Sequence, residues 1–239
     1  MTSRRLIIAI DGPAGAGKST IASAVSKRLG YVNLDTGAMY RALGLKALEH
    51  GISLEDQPEL YKLALHSRIE LEPTPNGNRV LLDDQEITHR IREPEVSDAA
   101  SRVSVHPKVR EWMVDRQREM GASGGVVMEG RDIGTKVFPK ADVKIFLDAN
   151  PNVRAERRLL QNADKPGPAK TAEQVAAEMC ERDQRDRSRA ASPLEPAPDA
   201  VILDSSGLTI EQVVSRVEEL VRERQSAASG VVQTEEQPS

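Results

Sequence analysis

Short apolar runs alternate with amphipathic stretches along this chain. Leu6-Ile7-Ile8-Ala9-Ile10, Tyr31-Val32-Asn33-Leu34, Val126-Val127-Met128, Val143-Lys144-Ile145-Phe146-Leu147 and Val201-Ile202-Leu203 read as strands, being short, apolar and rich in β-branched residues. Between them apolar residues recur at helical spacing: Ile21, Val25 and Leu29; Met39, Ala42, Leu43, Leu45 and Leu48; Val109, Trp112, Met113 and Met120; Val213, Val214, Val217, Leu220 and Val221. Gly30, Gly51 and Gly121 stand where three of these helices should stop. Pro58 and Pro94 open two more, and a further helix is expected over residues 152–161. Thr171 with Gln174, and Thr209 with Gln212, have the spacing of capping boxes for the last two. Strands alternating with helices predict an α/β fold: a parallel five-stranded sheet with helices on both faces.

One region breaks this rhythm. Ile69-Glu70-Leu71-Glu72 alternates, a Pro/Asn/Gly turn follows, Val80-Leu81-Leu82 forms a second short run, and Glu86-Ile87-Thr88 a third after Asp83-Asp84. It predicts a small antiparallel three-stranded insert. We expect a single domain over 1–225, with its core at about 4–60, 107–153 and 199–225 and the insert at about 61–106. A polar loop, Asp164 to Pro168, separates two helices in the segment of about 154–190, and the Ser/Ala/Glu-rich residues 226–239 read as a disordered tail.

Composition narrows the possibilities. The net charge of −4 argues against an extended nucleic-acid surface. No apolar run approaches the ~20 residues needed to span a bilayer, and no signal-type leader precedes the first strand. Cys180 is the single cysteine, so no intrachain disulfide can form, and a cytoplasmic chain is expected. The four histidines lack ligand spacing, and no zinc is assigned.

Gly12-Pro13-Ala14-Gly15-Ala16-Gly17-Lys18-Ser19, followed by Thr20, fits G-x-x-x-x-G-K-[ST] between a strand and a helix. Glycines let backbone N–H groups turn toward a polyphosphate, and the helix N-terminus adds partial positive charge. Lys18 would meet the β- and γ-phosphates, and the Ser19 hydroxyl suits Mg²⁺. Two further polar motifs, Asp35-Thr36-Gly37 and Glu129-Gly130-Arg131-Asp132, end other strands. In a parallel sheet they belong at one edge of one cleft. Glu129 could hold Mg²⁺ through water or pair with an arginine, and Asp35 is a second acidic candidate, as metal ligand or as base.

Arg41 and Arg131 follow strands, Arg154, Arg157 and Arg158 share a helix side, and Arg182, Asp186 and Arg189 fall on one face of the next helix. Guanidinium forks beside a phosphate loop imply phosphate on the acceptor as well as the donor. Such an acceptor is largely dianionic at pH 7 and needs no general base, which leaves positioning and electrostatics as the catalysis.

Four motifs occur in order: Gly12 to Ser19, Asp35-Thr36-Gly37-Ala38-Met39-Tyr40-Arg41, Glu129-Gly130-Arg131-Asp132-Ile133-Gly134-Thr135, and Glu181-Arg182-Asp183-Gln184-Arg185-Asp186-Arg187-Ser188-Arg189. Together they closely resemble the bacterial cytidylate kinase family, from about Leu6 to Arg224 and including the insert. The resemblance implies a nucleoside monophosphate kinase fold, with a short helical lid at about 154–190 closing over ATP. It implies Mg²⁺-assisted transfer of the γ-phosphoryl of ATP to CMP or dCMP, in a monomer with no nucleic-acid or membrane partner. By the same resemblance Arg41 and Arg131 grip the acceptor phosphate, with Thr36 and Tyr40 nearby; Ser101, Arg110 and Asp132 read cytosine; Arg182 and Asp186 hold the ribose; Arg189 also belongs to the acceptor site; and Arg157 lies over ATP. Lys18, Arg131, Arg182 and Arg189 are then the catalytic cations. Two positions depart from the family pattern: Thr36, where serine is common, and Glu129, longer than the aspartate often found there. An acceptor such as Asp132 suits the exocyclic amine of cytosine and not the carbonyl of uracil.

The alternatives are another small-molecule kinase (UMP/CMP, adenylate or shikimate) or a nucleotide switch. The Tyr40-Arg41 pair and the insert disfavour the first, and the lack of an Asn-Lys-x-Asp element disfavours the second.

Overall fold

The computed structural model describes residues 5–74, 77–162 and 170–231. The first strand, β1 (Ile7–Asp11), runs into α1 (Lys18–Leu29), then β2 (Val32–Asp35), α2 (Thr36–Glu49) and α3 (Gln57–Leu65). The insert strands are β3 (Ile69–Thr74), β4 (Gly77–Leu82) and β5 (Gln85–Glu86). After a short 3₁₀ turn at Arg90–Arg92 come α4 (Pro94–Val103), α5 (Pro107–Gly121) and β6 (Val126–Gly130). A π-type turn, Ile133–Val137, leads to β7 (Val143–Asp148), α6 (Pro151–Asn162), α7 (Ala172–Ser188), β8 (Val201–Asp204) and α8 (Ile210–Val231).

The five strands β2-β6-β1-β7-β8 form one sheet in that order, all parallel, and β3-β4-β5 a separate antiparallel sheet. Register places Asp35 opposite Glu129 and Asp11 opposite Gly130. The carboxyl ends of β1, β2 and β6 therefore finish level, and the loops leaving them share one edge.

Alternation along the strands supplies both faces. Ile8, Ile10, Val127, Ile145 and Leu147 pack with Ile21 and Val25 of α1 and Val213, Val214 and Val217 of α8. Ala9, Leu34, Val126 and Met128 turn the other way, against Val114 of α5 and Ile133 and Val137 of the π-type turn. A third cluster joins α2 through Met39 and Leu43 to the insert through Val80, and to α4 and α5 through Val96, Val103, Val109 and Met113. With only 3% aromatics, aliphatic side chains fill these layers, each fully buried one contributing about 1.5–3 kcal/mol.

The helix starts and stops follow local chemistry. Asp35 caps α2 by accepting from the Ala38 N–H, Thr171 and Gln174 form a reciprocal capping box on α7, and Gly30 closes α1 in the left-handed region at φ 65°. Two sequence readings change. The third insert strand is only Gln85–Glu86, because Thr88 turns its hydroxyl back to accept from the Val80 N–H. The last helix runs to Val231, so residues 226–231 are helical where a disordered tail was expected. Alanine-rich sequence with no proline or glycine cap up to Ala228 lets the helix of the preceding apolar face continue. The expected loop at Asp164–Pro168 and the tail beyond Val231 lie outside the described residues.

Candidate active site

A single cleft at the carboxyl edge of the sheet collects side chains from every motif singled out in the sequence. Ala14, Gly15, Gly17, Lys18, Ser19 and Thr20 line one side; Thr36, Tyr40, Arg41, Ser101, Arg110, Arg131, Asp132, Arg182, Asp186 and Arg189 line the other; Asp35 and Glu129 lie between. Gly12, Pro13, Ala16 and Arg157 do not line it. A Cβ on Gly12 would come within 2.0 Å of the Leu147 carbonyl oxygen, and Arg157 donates to the Ser205 carbonyl at 2.7 Å and hydroxyl at 3.0 Å and reaches the Ala16 carbonyl at 3.4 Å. Arg158, its neighbour on α6, is the one that faces the cleft.

The glycine-rich loop is built by backbone. Gly12, Gly15 and Gly17 hold φ values of 149°, 74° and 96°, conformations that a side chain would strain. Lys18 is buried and its Nζ donates to the Pro13 carbonyl oxygen at 2.7 Å, curling the ammonium over the loop. Burial, with Arg131 adding repulsion, pulls Lys18 down to about 7, so an arriving anion would restore its charge. Helices α6 and α7 rest directly on this loop. Arg154 of α6 donates to the Ala14 carbonyl oxygen at 3.0 Å and to Asp183 of α7 at 2.6 Å, and Met179 of α7 covers Gly15.

Glu129 and Asp35 stand side by side but differ in their partners. The Ser19 hydroxyl donates to Glu129 Oε2 at 2.9 Å, while Oε1 is buried with no hydrogen-bond partner among the described residues. Burial and the Asp35 charge push Glu129 up to about 7. Asp35 accepts from Arg41 at 2.6 Å; burial opposes its ionisation, but Arg41 and the Ala38 N–H hold its carboxyl below the usual range. Of the two, Asp35 is the carboxylate paired with an arginine. The orphaned Oε1, the neighbouring hydroxyl and the hard oxygen donor set fit a magnesium ion, which keeps most of its waters and needs few protein ligands.

The side of the cleft opposite the glycine-rich loop is built from ion pairs. Arg110, 2% exposed, donates from Nη2 to Asp132 at 2.6 Å and from Nη1 to the Ser104 carbonyl, and stacks 5.5 Å from the Tyr40 ring centre. Arg131 Nε donates to Asp186 at 2.9 Å. Arg189 donates from Nε to the Asp186 carbonyl and stands 3.5 Å from its carboxylate. Burial works against the Asp186 charge, yet Arg131, Arg189 and Arg182 together hold its carboxyl below the usual range. Burial and Arg131 lower Arg182 to about 10; burial and Arg41 lower Arg158. Buried donor or acceptor atoms without partners among the described residues converge here: Arg110 Nε, Arg182 Nε, Arg189 Nη2 and Tyr40 Oη. Seven cationic side chains and only four carboxylates line the cleft, in a chain whose net charge is −4. That local excess is suited to a highly charged anion.

Sequence reasoning missed Asp11, Ser104 and the distinct role of Arg158. Asp11, buried at the end of β1, accepts the N–H groups of Ile133 and Gly134 at 2.8 and 2.7 Å and so fixes the turn that presents Arg131 and Asp132. Burial pushes it up to about 6 against those two hydrogen bonds. Its position directly before the glycine-rich loop was the available signal.

Comparison with known proteins gives a consistent result. A family model described as cytidylate kinase matches residues 8–223. Cytidylate kinase from Solibacter usitatus (strain Ellin6076) is 51% identical over 222 residues, covering 92% of this chain and 94% of that protein. Cytidylate kinase from Geobacillus kaustophilus (strain HTA426) is 49% identical over 221 residues, covering 92% and 98%. A solved structure of an uncharacterized protein from Eubacterium ventriosum ATCC 27560 has a similar fold, with a TM-score of 0.50 at 9% identity over 91% of this chain and 99% of that one.

Proposed function

We infer that this chain, which belongs to the cytidylate kinase family, is a nucleoside monophosphate kinase that phosphorylates CMP, with ATP as the donor and dCMP as a second acceptor. The observation that carries the reading is the surplus of cations in the cleft, on both the glycine-loop side and the α7 side. A donor polyphosphate fits the backbone N–H groups of Gly15, Gly17 and Lys18 and the ammonium of Lys18. The acceptor phosphate fits Arg41 and Arg131 with Thr36 and Tyr40 beside them, and the ribose fits Arg182 and Asp186. On entry the phosphate replaces carboxylates as the counter-ion of Arg41 and Arg131.

Ser19 and Glu129 would hold magnesium, with Asp35 beside them; when bound, the ion neutralises charge on the transferring phosphoryl group. The chain's own residues do the rest. Lys18, Arg131, Arg182 and Arg189 stabilise the charge that spreads over the equatorial oxygens, and no side chain needs to remove a proton from a dianionic acceptor. Arg157, tied to Ser205, and Arg154, tied to Asp183, brace the α6–α7 lid, which excludes water as a competing acceptor. Asp132 accepts from the exocyclic amine of cytosine with Oδ1, since Arg110 occupies Oδ2. Membrane association has no structural support: among the described residues no helix is long and apolar enough to cross a bilayer. We expect a monomeric, cytoplasmic enzyme without nucleic-acid partners.

The test is ADP formation from ATP and Mg²⁺ with CMP, dCMP, UMP, AMP, GMP and shikimate in parallel. Turnover concentrated on CMP and dCMP is the expected result. Turnover on shikimate, or equal turnover without any acceptor, would overturn the reading.

A further inference from the structure

We propose that Arg185 is a specificity-determining positioning residue: it fixes the Ser101 hydroxyl as a hydrogen-bond donor toward the base, and so couples the lid helix to base selection. The proposal rests on the assignment of Ser101 to the base site.

Arg185 lies on α7, and Ser101 on α4 of the acceptor insert. Arg185 Nη1 donates to Ser101 Oγ at 3.1 Å. The guanidinium is steered there by two carboxylates, Glu181 on its own helix at 2.9 Å and Asp98 on α4 at 3.5 Å. Ser101 is 4% exposed and lines the cleft. A guanidinium stays protonated and can only donate. One lone pair of Ser101 Oγ is therefore committed and the hydroxyl proton points elsewhere; a second lone pair remains, but the adjacent positive charge makes the hydroxyl a better donor and a poorer acceptor. Among the described residues it has no protein acceptor.

An unconstrained serine hydroxyl donates or accepts as a ligand demands, and discriminates little. Held by Arg185, it favours a base edge that accepts. Cytosine presents a bare ring nitrogen and a carbonyl on that edge, whereas the same ring nitrogen of uracil carries a proton. Because Arg185 belongs to α7, its grip on Ser101 is made only when the lid helix sits against α4. Docking of the lid thus completes the base site as well as covering the donor.

The variants Arg185→Met, Arg185→Lys, Ser101→Ala and the double variant Arg185→Met/Ser101→Ala would be assayed for KM and kcat with CMP and with UMP. The expected result is that Arg185→Met raises KM for CMP about tenfold, as for the loss of a charge-assisted hydrogen bond. It should narrow the CMP/UMP ratio of kcat/KM similarly, with kcat changed less than about twofold and Arg185→Lys restoring most of the ratio. Ser101→Ala should narrow the ratio as much, and the double variant no more than Ser101→Ala alone. Additive losses in the double variant, or a fall in kcat shared by CMP and UMP, would overturn the coupling while leaving Ser101 a base-reading residue. An unchanged ratio in Ser101→Ala would overturn the base assignment and the Arg185 role with it.

Discussion

The two sides of the cleft are built from different materials. The donor side is main chain: three glycines at positive φ, the start of α1 and one buried lysine, all within residues 12–20. The acceptor side is side chain: Arg41 with Asp35, Arg110 with Asp132 and Arg131 with Asp186, gathered from residues 35–189. A backbone cradle costs no counter-ion. It is preformed, and it takes any polyphosphate of the right size. Guanidiniums held in a dry cleft need carboxylates while the site is empty, and a ligand must supply equal or better charge before it can displace them. On the proposed reading, the donor side would provide affinity for phosphate and the acceptor side choice among acceptors.

Removing one cation from each side should separate these roles. Arg131→Met is expected to lower kcat/KM for CMP by about a hundredfold, with KM for ATP within about twofold, because a charge-assisted contact to a transferring or accepting phosphate is lost. Lys18→Met should cut kcat by a similar factor for CMP and for dCMP alike. If Arg131→Met weakened ATP as strongly as CMP, the division into two sides would fail.

A second prediction concerns what the pairs do when the site is empty. Arg110→Met leaves Asp132 buried without its partner and should cost about 3 kcal/mol of stability in denaturant titration. Arg110→Met/Asp132→Asn should recover part of that loss without recovering activity on CMP. Equal stability of Arg110→Met and the wild type would mean that the pair is not a buried ion pair in solution.

A third prediction concerns Asp11, which joins the two sides. With its carboxyl at about 6 when folded and near 3.8 when unfolded, the folded chain keeps a proton that the unfolded chain loses. Stability should therefore fall as pH rises from about 4 to about 6, by on the order of 3 kcal/mol. Asp11→Asn should lack that fall, so the Tm difference between variant and wild type should shift toward the variant across this window. Parallel Tm curves would contradict the assignment.

The same contrast explains what could be read before the structure. The donor side is contiguous, so Gly12 to Ser19 announces itself, and periodic apolar residues give the helices and strands around it. Strand order did not follow from pattern. β6 separates β1 from β2 through pairings distant in sequence, Ile7 with Val126 and Val32 with Val126, which local periodicity cannot encode. On α6, spacing put Arg154, Arg157 and Arg158 on one side. The fold divides them among Asp183, Ser205 and the cleft, because side-chain reach and partners from other elements decide the destination. The partners of Asp11 were hidden for the same reason: its place before the glycine-rich loop marks it, but it looks like the last residue of a strand until the turn at Ile133 and Gly134 comes to meet it. The proposed acceptor residues could be named as a set only through the resemblance of four ordered motifs to one family; the structure shows that they share a cleft.

The central claim is that the acceptor side selects the base. It is tested most directly by kcat/KM for CMP and for UMP with the unmodified chain, at saturating ATP and Mg²⁺. A preference for CMP of at least about tenfold is predicted, the scale of one well-placed hydrogen bond to a charged group. Equal values would contradict it, leaving a phosphate-gripping cleft in which Asp132 has no part in choosing the base.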